Sequence, residues 1–241
     1  MFSEVVASKN DFFVPYILHF NGYKSLKMSI PPATKQLWTL IPLIGIVLFA
    51  CLYLVATFHY PGGTPFNKYY IGFSWTENYW CNLLNDQAIN GQTNSAQPIA
   101  SIAMTILCLS LAFFWWIFPQ FTTLDKLFQS VIRFCGMMAM GVACLLFTNT
   151  DHDFTTNLAS FFGLIATTGT LTGLYKNGWK ILFYFGILNL LLVVANNVLY
   201  YDKNLILYLP LIQKLTFATF LIWVCSISFK IFEWSKIQSS T

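Results

Sequence analysis

Charge is what this sequence has least of. Asp, Glu, Lys and Arg make up 9% of its 241 residues, where a soluble domain carries about 25%. That is too little charge to cover a water-facing surface, which argues against a soluble globular domain. Histidine is scarce too, with three residues, His19, His59 and His152. The six cysteines form no CxxC pair. Five fall within apolar runs and only Cys81 lies in a polar loop, so neither a disulfide framework nor a thiolate metal site is indicated. No basic run marks a nucleic-acid partner. "MFSEVVASKN" has an acid where a basic leader segment should be, and no small-residue cleavage site follows. The first membrane helix is therefore expected to direct insertion. Internal repeats and low-complexity linkers are also missing.

What is there is oil. Hydrophobic residues reach 56% and aromatic residues 18%, with a mean hydropathy of +0.60. Six apolar segments, roughly 37–58, 97–118, 130–149, 155–175, 181–200 and 205–232, are long enough to cross a hydrocarbon core of ~30 Å. Backbone groups in lipid must be satisfied internally, and strand-type alternation is absent, so the segments read as helices. The fold expected is all-α, a polytopic membrane bundle of six transmembrane helices.

The basic residues fall in alternate loops. Lys24, Lys27 and Lys35 precede the first helix, and Lys126 with Arg133 opens the third. Lys176 and Lys180 flank the 4–5 turn, and Lys230 with Lys236 closes the chain. The opposite loops hold Lys68 and Lys203 against Glu77, Asp86, Asp151, Asp153 and Asp202. This bias places both termini in the cytoplasm of a plasma or bacterial inner membrane. Residues 1–35 form a cytoplasmic segment in which "DFFVPYILHF" (11–20) is too short to span and suits the interface. "SIPPAT" (29–34) breaks the chain before the first helix. Residues 36–241 form the transmembrane domain.

Loop 59–96 is far longer than the others. Pro61-Gly62-Gly63 forces a turn, and "YYIGFSWTENYW" (69–80) is aromatic every residue or two, as suits the headgroup region. "CNLLNDQAINGQTN" (81–94) has an apolar side, Leu83, Leu84, Ala88 and Ile89, and a polar side, Asn82, Asn85, Asp86 and Gln92. Asn90-Gly91 ends it as a turn. The loop is expected to be a structured outer cap over the bundle mouth. It either lines a pocket with amides that donate and accept hydrogen bonds, or closes helix ends.

Two further polar groups stand out. "TNTDHDFTTN" (148–157) crowds Asp151, His152 and Asp153 into one turn. That turn reads as a helix cap, an acid–base group, or, with His59, part of a metal site. Zinc wants three or four protein ligands, so His59 and His152 are weak metal candidates, and no cofactor is implied. Lys214 lies nine positions into the sixth apolar segment, roughly 13 Å down at ~1.5 Å per residue. A lysine there is costly and needs a partner. Asn189, Asn196 and Asn197 line the fifth segment, so Asn189 or Asn196 is expected to approach Lys214. Pro210 is expected to kink the last helix above it. Ala159/Gly163 and Gly169/Gly173 stand at four-residue spacing and permit close packing inside the bundle.

The layout resembles bacterial six-helix membrane proteins of unknown function, which are distantly similar to the damage-regulated autophagy modulator family. The likeness is carried by "LLFTNTDHDFTTNLASFFGLIA" (145–166), where a helix ends in an acidic turn, a histidine follows and a small-residue helix begins. It implies a fold and no established activity. A rival likeness, to alkaline ceramidase-like hydrolases, implies seven helices and a zinc on three histidines with an HxxxH pair. This chain has no HxxxH.

Three readings follow. In the first, a non-catalytic membrane protein binds a membrane lipid or small polar group outside, or serves other membrane proteins as an accessory partner. Asn82, Asp86, Asp151, His152, Asp153, Asn196, Asn197 and Lys214 would line its pocket. In the second, a metal-dependent lipid hydrolase uses His152 as base or ligand, assisted by Asp151 and Asp153. The third is a small-solute transporter.

Overall fold

The described residues form six long helices, with one long connection between the first two. The structure, a computed structural model, describes residues 37–147 and 152–239. The expectations for 1–35 and for Asp151 lie outside those residues. The helices are α1 (Ile41–Phe58), α2 (Gln97–Ile117), α3 (Lys126–Ala143), α4 (His152–Lys176), α5 (Lys180–Tyr201) and α6 (Leu209–Ser239). Short 3₁₀ turns lead into α1 (Trp38–Leu40) and α6 (Ile206–Tyr208) and continue α2 (Phe118–Phe121) and α3 (Cys144–Phe147). Among the described residues there is no strand, only two isolated bridges, Gly62 to Ile71 and Gln87 to Thr93.

Five of the helical runs are long and apolar enough to cross a bilayer: Trp38–Phe58, Gln97–Phe121, Phe154–Lys176, Lys180–Tyr201 and Ile206–Ile237. The chain is a multi-pass membrane protein. The segment expected over 130–149 differs from the rest. Its helix, α3, starts earlier, at Lys126, and takes in Gln129 and Ser130 before Arg133. Those polar residues keep it below the hydropathy of its neighbours. α3 is also markedly one-sided: Ile132, Cys135, Gly136, Ala139 and Val142 are buried, on the three-and-four spacing of one helix face.

Each helix packs on its neighbours in sequence, and α6 closes back onto α1. The ring has a filled centre. Trp115 of α2 and Trp223 of α6 are fully buried, together with Phe114, Phe118, Ile227 and Ile231. Both indoles find acceptors: Trp115 Nε1 donates to Thr170 Oγ1 at 3.3 Å and Trp223 Nε1 to the Leu182 carbonyl at 2.7 Å. Small residues admit them. A β-carbon on Gly136 would sit 2.3 Å from the Trp115 ring, and one on Gly186 would sit 2.7 Å from the Trp223 ring. The glycines of α4 likewise face neighbours inside the bundle, Gly169 against Ile132 and Gly173 against Thr122 and Phe118.

Two connections meet at one end of the ring. Asn177, in the α4–α5 turn, donates to the Phe121 carbonyl at 2.7 Å and accepts from the Thr123 amide at 3.1 Å. The 59–96 connection lies at the opposite end, the end at which α5 leads into α6.

Candidate functional site

The 59–96 segment is a folded cap. Its backbone turns at Gly62 and Gly63, which hold φ of 137° and 87°, a region open to glycine at little cost. Space demands glycine as well: a β-carbon on Gly63 would meet the Asn90 nitrogen at 2.4 Å. The turn sets up a hairpin in which Gly63 N–H donates to the Tyr70 carbonyl at 2.7 Å and Asn90 N–H donates to the Gly62 carbonyl at 3.2 Å.

Three buried asparagines hold the rest. Asn78 is fully buried. Its Oδ1 accepts from Ser74 N–H at 2.8 Å and its Nδ2 donates to the Gly63 carbonyl at 2.9 Å. Asn82 Oδ1 accepts from Tyr79 N–H at 2.7 Å. Asn94 Nδ2 lies within reach of the carbonyls of Asn82, Leu83 and Asn85, at 3.1, 3.2 and 2.8 Å, while its Oδ1 accepts from Ala96 N–H at 3.1 Å. The amide-rich composition of this stretch thus satisfies a backbone that has little regular structure of its own. A single 3₁₀ turn, Trp80–Leu84, is the only helix inside it. The apolar side read from the sequence faces inward, with Leu83 and Ala88 buried. Asn85, Asp86 and Gln92 are exposed, but Asn82 turns in.

Tyrosines tie the cap to α1 and to itself. Tyr53 Oη donates to the Trp80 carbonyl at 3.0 Å, and Ile89 N–H donates to Tyr60 Oη at 3.1 Å. Ser95 Oγ donates to the His59 carbonyl at 2.6 Å. Beneath the cap Tyr53, Trp80 and Phe73 pack in sequence, with centroids 5.0 and 6.1 Å apart. Burial raises the Cys81 thiol above its ordinary range, with the nearby Lys214 charge pulling the other way. Burial also raises the Tyr60 and Tyr79 phenols.

Lys214 reaches this cluster from α6. It is 8% exposed. Its ammonium donates to the Asn78 carbonyl and, at 3.0 Å, to the Pro210 carbonyl one turn back. It also lies 5.7 and 5.9 Å from the ring centroids of Phe73 and Trp80, within cation–π range. No carboxylate among the described residues pairs with it. The α-helix begins at Leu209 within a membrane-crossing run that starts at Ile206, so Lys214 lies eight positions into that run. Pro210 stands in the first turn, where its missing N–H is no loss, and not in the helix interior.

The expected approach of Asn189 or Asn196 to Lys214 does not occur. Asn189 Oδ1 accepts from Thr219 Oγ1 at 3.0 Å, and Asn196 Nδ2 donates to Thr216 Oγ1. At ~100° per residue, Thr216 faces away from Lys214 on the same helix. Asn197 is exposed and donates to the Val193 carbonyl at 2.9 Å. Asp86 is exposed while Lys214 is buried, and no ion pair joins them. His59 is exposed, with Nδ1 3.0 Å from the Val55 carbonyl. His152 opens α4, with Asp153 second, and their side chains lie outside the described ones. No cluster of three metal-ligating residues occurs among the described residues.

One groove is open on the cap, with a volume of about 450 Å³. Lys68, Tyr69 and Ile71 of the hairpin form one wall, and Asn90 and Gln92 the other. The sequence reading passed over this pairing. Its only signal was Gly62-Gly63, which brings Asn90 against the hairpin. No family model, curated protein or solved structure matches this chain.

Proposed function

We propose that this chain is a non-catalytic membrane protein with both termini in the cytoplasm, whose rigid outer cap holds a membrane lipid or a small polar ligand. The observation that carries the reading is the division of polar groups in the cap. Asn78, Asn82, Asn94 and Lys214 are engaged with backbone carbonyls and amides, which favours a fixed platform over moving chemistry. Lys68, Asn90 and Gln92 line an open groove, and the Lys68 ammonium, the Asn90 Nδ2 and the Gln92 side-chain amide make no hydrogen bond to any described residue. Binding sites of a few hundred Å³ with a few convergent polar groups are of this kind.

The orientation is supported by charge. Lys126, Arg133, Lys176, Lys180, Lys230 and Lys236 lie toward the end opposite the cap, where short loops of a bundle retain lysine and arginine in the cytoplasm.

Native mass spectrometry of the protein released from mild detergent tests the binding reading. A retained lipid-sized adduct is expected. A bare mass would overturn lipid binding. A zinc-sized adduct lost in His152→Ala would replace the reading with metal-dependent hydrolysis. An impermeant maleimide applied to intact cells should label Gln92→Cys above the wild-type background and leave Lys176→Cys unlabelled. The reverse pattern would invert the topology.

A further inference from the structure

The hairpin at the tip of the cap displays large side chains that nothing among the described residues covers. Tyr69 and Ile71 are each 90% exposed and Phe66 55%. They are held in place by the bridge between Gly62 and Ile71 and by the Gly63–Tyr70 hydrogen bond. Thr64 adds to this, its Oγ1 accepting from Asn67 N–H at 2.9 Å. Such a rigid display differs from an ordinary loop, which turns apolar groups inward. The hairpin begins three residues beyond Phe58, the last residue of α1, which is 86% exposed on a helix that also exposes Leu54 and Val55. That helix is long and apolar enough to cross a membrane, and the short link from Phe58 keeps the hairpin near its end, at the depth of the adjoining leaflet. Tyrosine suits this depth, with its ring buried and its hydroxyl wet.

Between this apolar wall and the Asn90–Gln92 turn lies the groove. Lys68 is the one cation in its lining, and the lining holds no acid. The Asn90 backbone fixes its place: its N–H donates to Gly62, and its Oδ1 accepts from Gln92 N–H at 3.0 Å. This leaves the Nδ2 of Asn90 and the side-chain amide of Gln92, two residues of the lining, without a partner among the described residues. A cation beside amide donors, flanked by apolar side chains, matches one occupant: a phospholipid whose phosphate meets a positive charge and whose chains run down beside a helix.

Building on the lipid reading above, we infer that the groove is a headgroup site that prefers anionic phospholipid, with Lys68 on the phosphate and Asn90 and Gln92 on the rest of the headgroup. Tyr69 and Ile71 flank the upper acyl chains. A single lysine near an anionic surface contributes about 1 kcal/mol, or about a fivefold preference.

The test reconstitutes the full chain into bilayers of equal phosphatidylglycerol and phosphatidylcholine, extracts it into mild detergent, and counts retained lipids by native mass spectrometry. Wild type should retain phosphatidylglycerol about fivefold over phosphatidylcholine. Lys68→Ala should lose the preference, and Lys203→Ala, at the same end of the bundle, should keep it. Tyr69→Ala with Ile71→Ser should lower total retention. Lipid retained without preference, or a preference that survives Lys68→Ala, overturns this inference and leaves lipid binding standing. No lipid retained overturns both. Displacement of phosphatidylglycerol by millimolar inorganic phosphate, with phosphate bound in its place, assigns the groove to a free anion and overturns the lipid commitment. Hydrogen exchange over 78–94 shows whether each variant keeps the cap folded.

Discussion

The ammonium of Lys214 donates a hydrogen bond to the main-chain carbonyl of Asn78, 136 residues away in sequence. The contact joins the first turns of α6 to the middle of the cap. It also gives the cation an acceptor where no described carboxylate is at hand. The rings of Phe73 and Trp80 supply the rest of its surroundings. A charge so placed does not need to be a reactive group. It fixes the cap to the bundle.

Removing that charge should loosen the cap. Lys214→Met keeps the length of the stem and deletes both bonds to carbonyls. Hydrogen bonds to a charged group contribute about 1.5–3 kcal/mol. Amide exchange over 78–84 should accelerate by roughly ten- to a hundredfold, with exchange in α2 unchanged. Equal protection in the variant would show that the cap holds without the lysine.

The three asparagines should be unequal to their exposed neighbours. Asn94→Ala strips one side chain from the carbonyls of Asn82, Leu83 and Asn85, which leaves buried acceptors unmet and costs about 1–3 kcal/mol. Asp86→Ala, at an exposed side chain, should fall within about 0.5 kcal/mol of wild type. Thermal unfolding in detergent compares the two, and equal midpoints would sink the structural role given to Asn94.

The glycines of α3 offer a test of the ring's interior. Gly136→Ala pushes a methyl into the Trp115 ring and should cost about 1–3 kcal/mol. Gly141→Ala, in the same helix with open space around it, should be neutral or slightly stabilising through helix propensity. If the two variants melt together, Trp115 does not pack as described.

The cap should also answer to alkali. Burial raises Cys81, Tyr60 and Tyr79 above their ordinary values of 9.0 and 10.0. These three groups therefore bind their protons more tightly in the folded cap than in the unfolded chain. Their contribution to stability is complete below about pH 9 and declines as pH climbs through and beyond that range. At pH 8 a maleimide should react with Cys81 more slowly, on the order of tenfold, than with an exposed Gln92→Cys. Equal rates would show an accessible, ordinary thiol.

Composition alone determined the class of this protein. With 9% charged residues and long apolar runs, the chain has no way to bury its backbone polar groups except in membrane helices. Local hydropathy located all six helices, four of them to within a few residues, while α3 begins and ends earlier than expected and α6 runs on to Ser239. It overstated the apolar character of α3, where polar residues at 126–133 thin the signal, and the kink at Pro210, which stands in the first turn of α6. The 59–96 segment was legible as a structured cap because Pro61-Gly62-Gly63 and the dense amides have no place in a tether. Tertiary structure decided the partners. Asn78, Asn82 and Asn94 turn inward while Asn85 and Asp86 stay in the open, and amide composition is the same for both sets. Lys214 selects Asn78 over the asparagines of α5 because helix periodicity turns it away from Thr216 and Thr219, which take those asparagines instead. Lys68 and Asn90 share a groove because two glycines allow the hairpin to lie against the turn. Contacts between residues far apart in the chain depend on which faces meet, and packing alone fixes that.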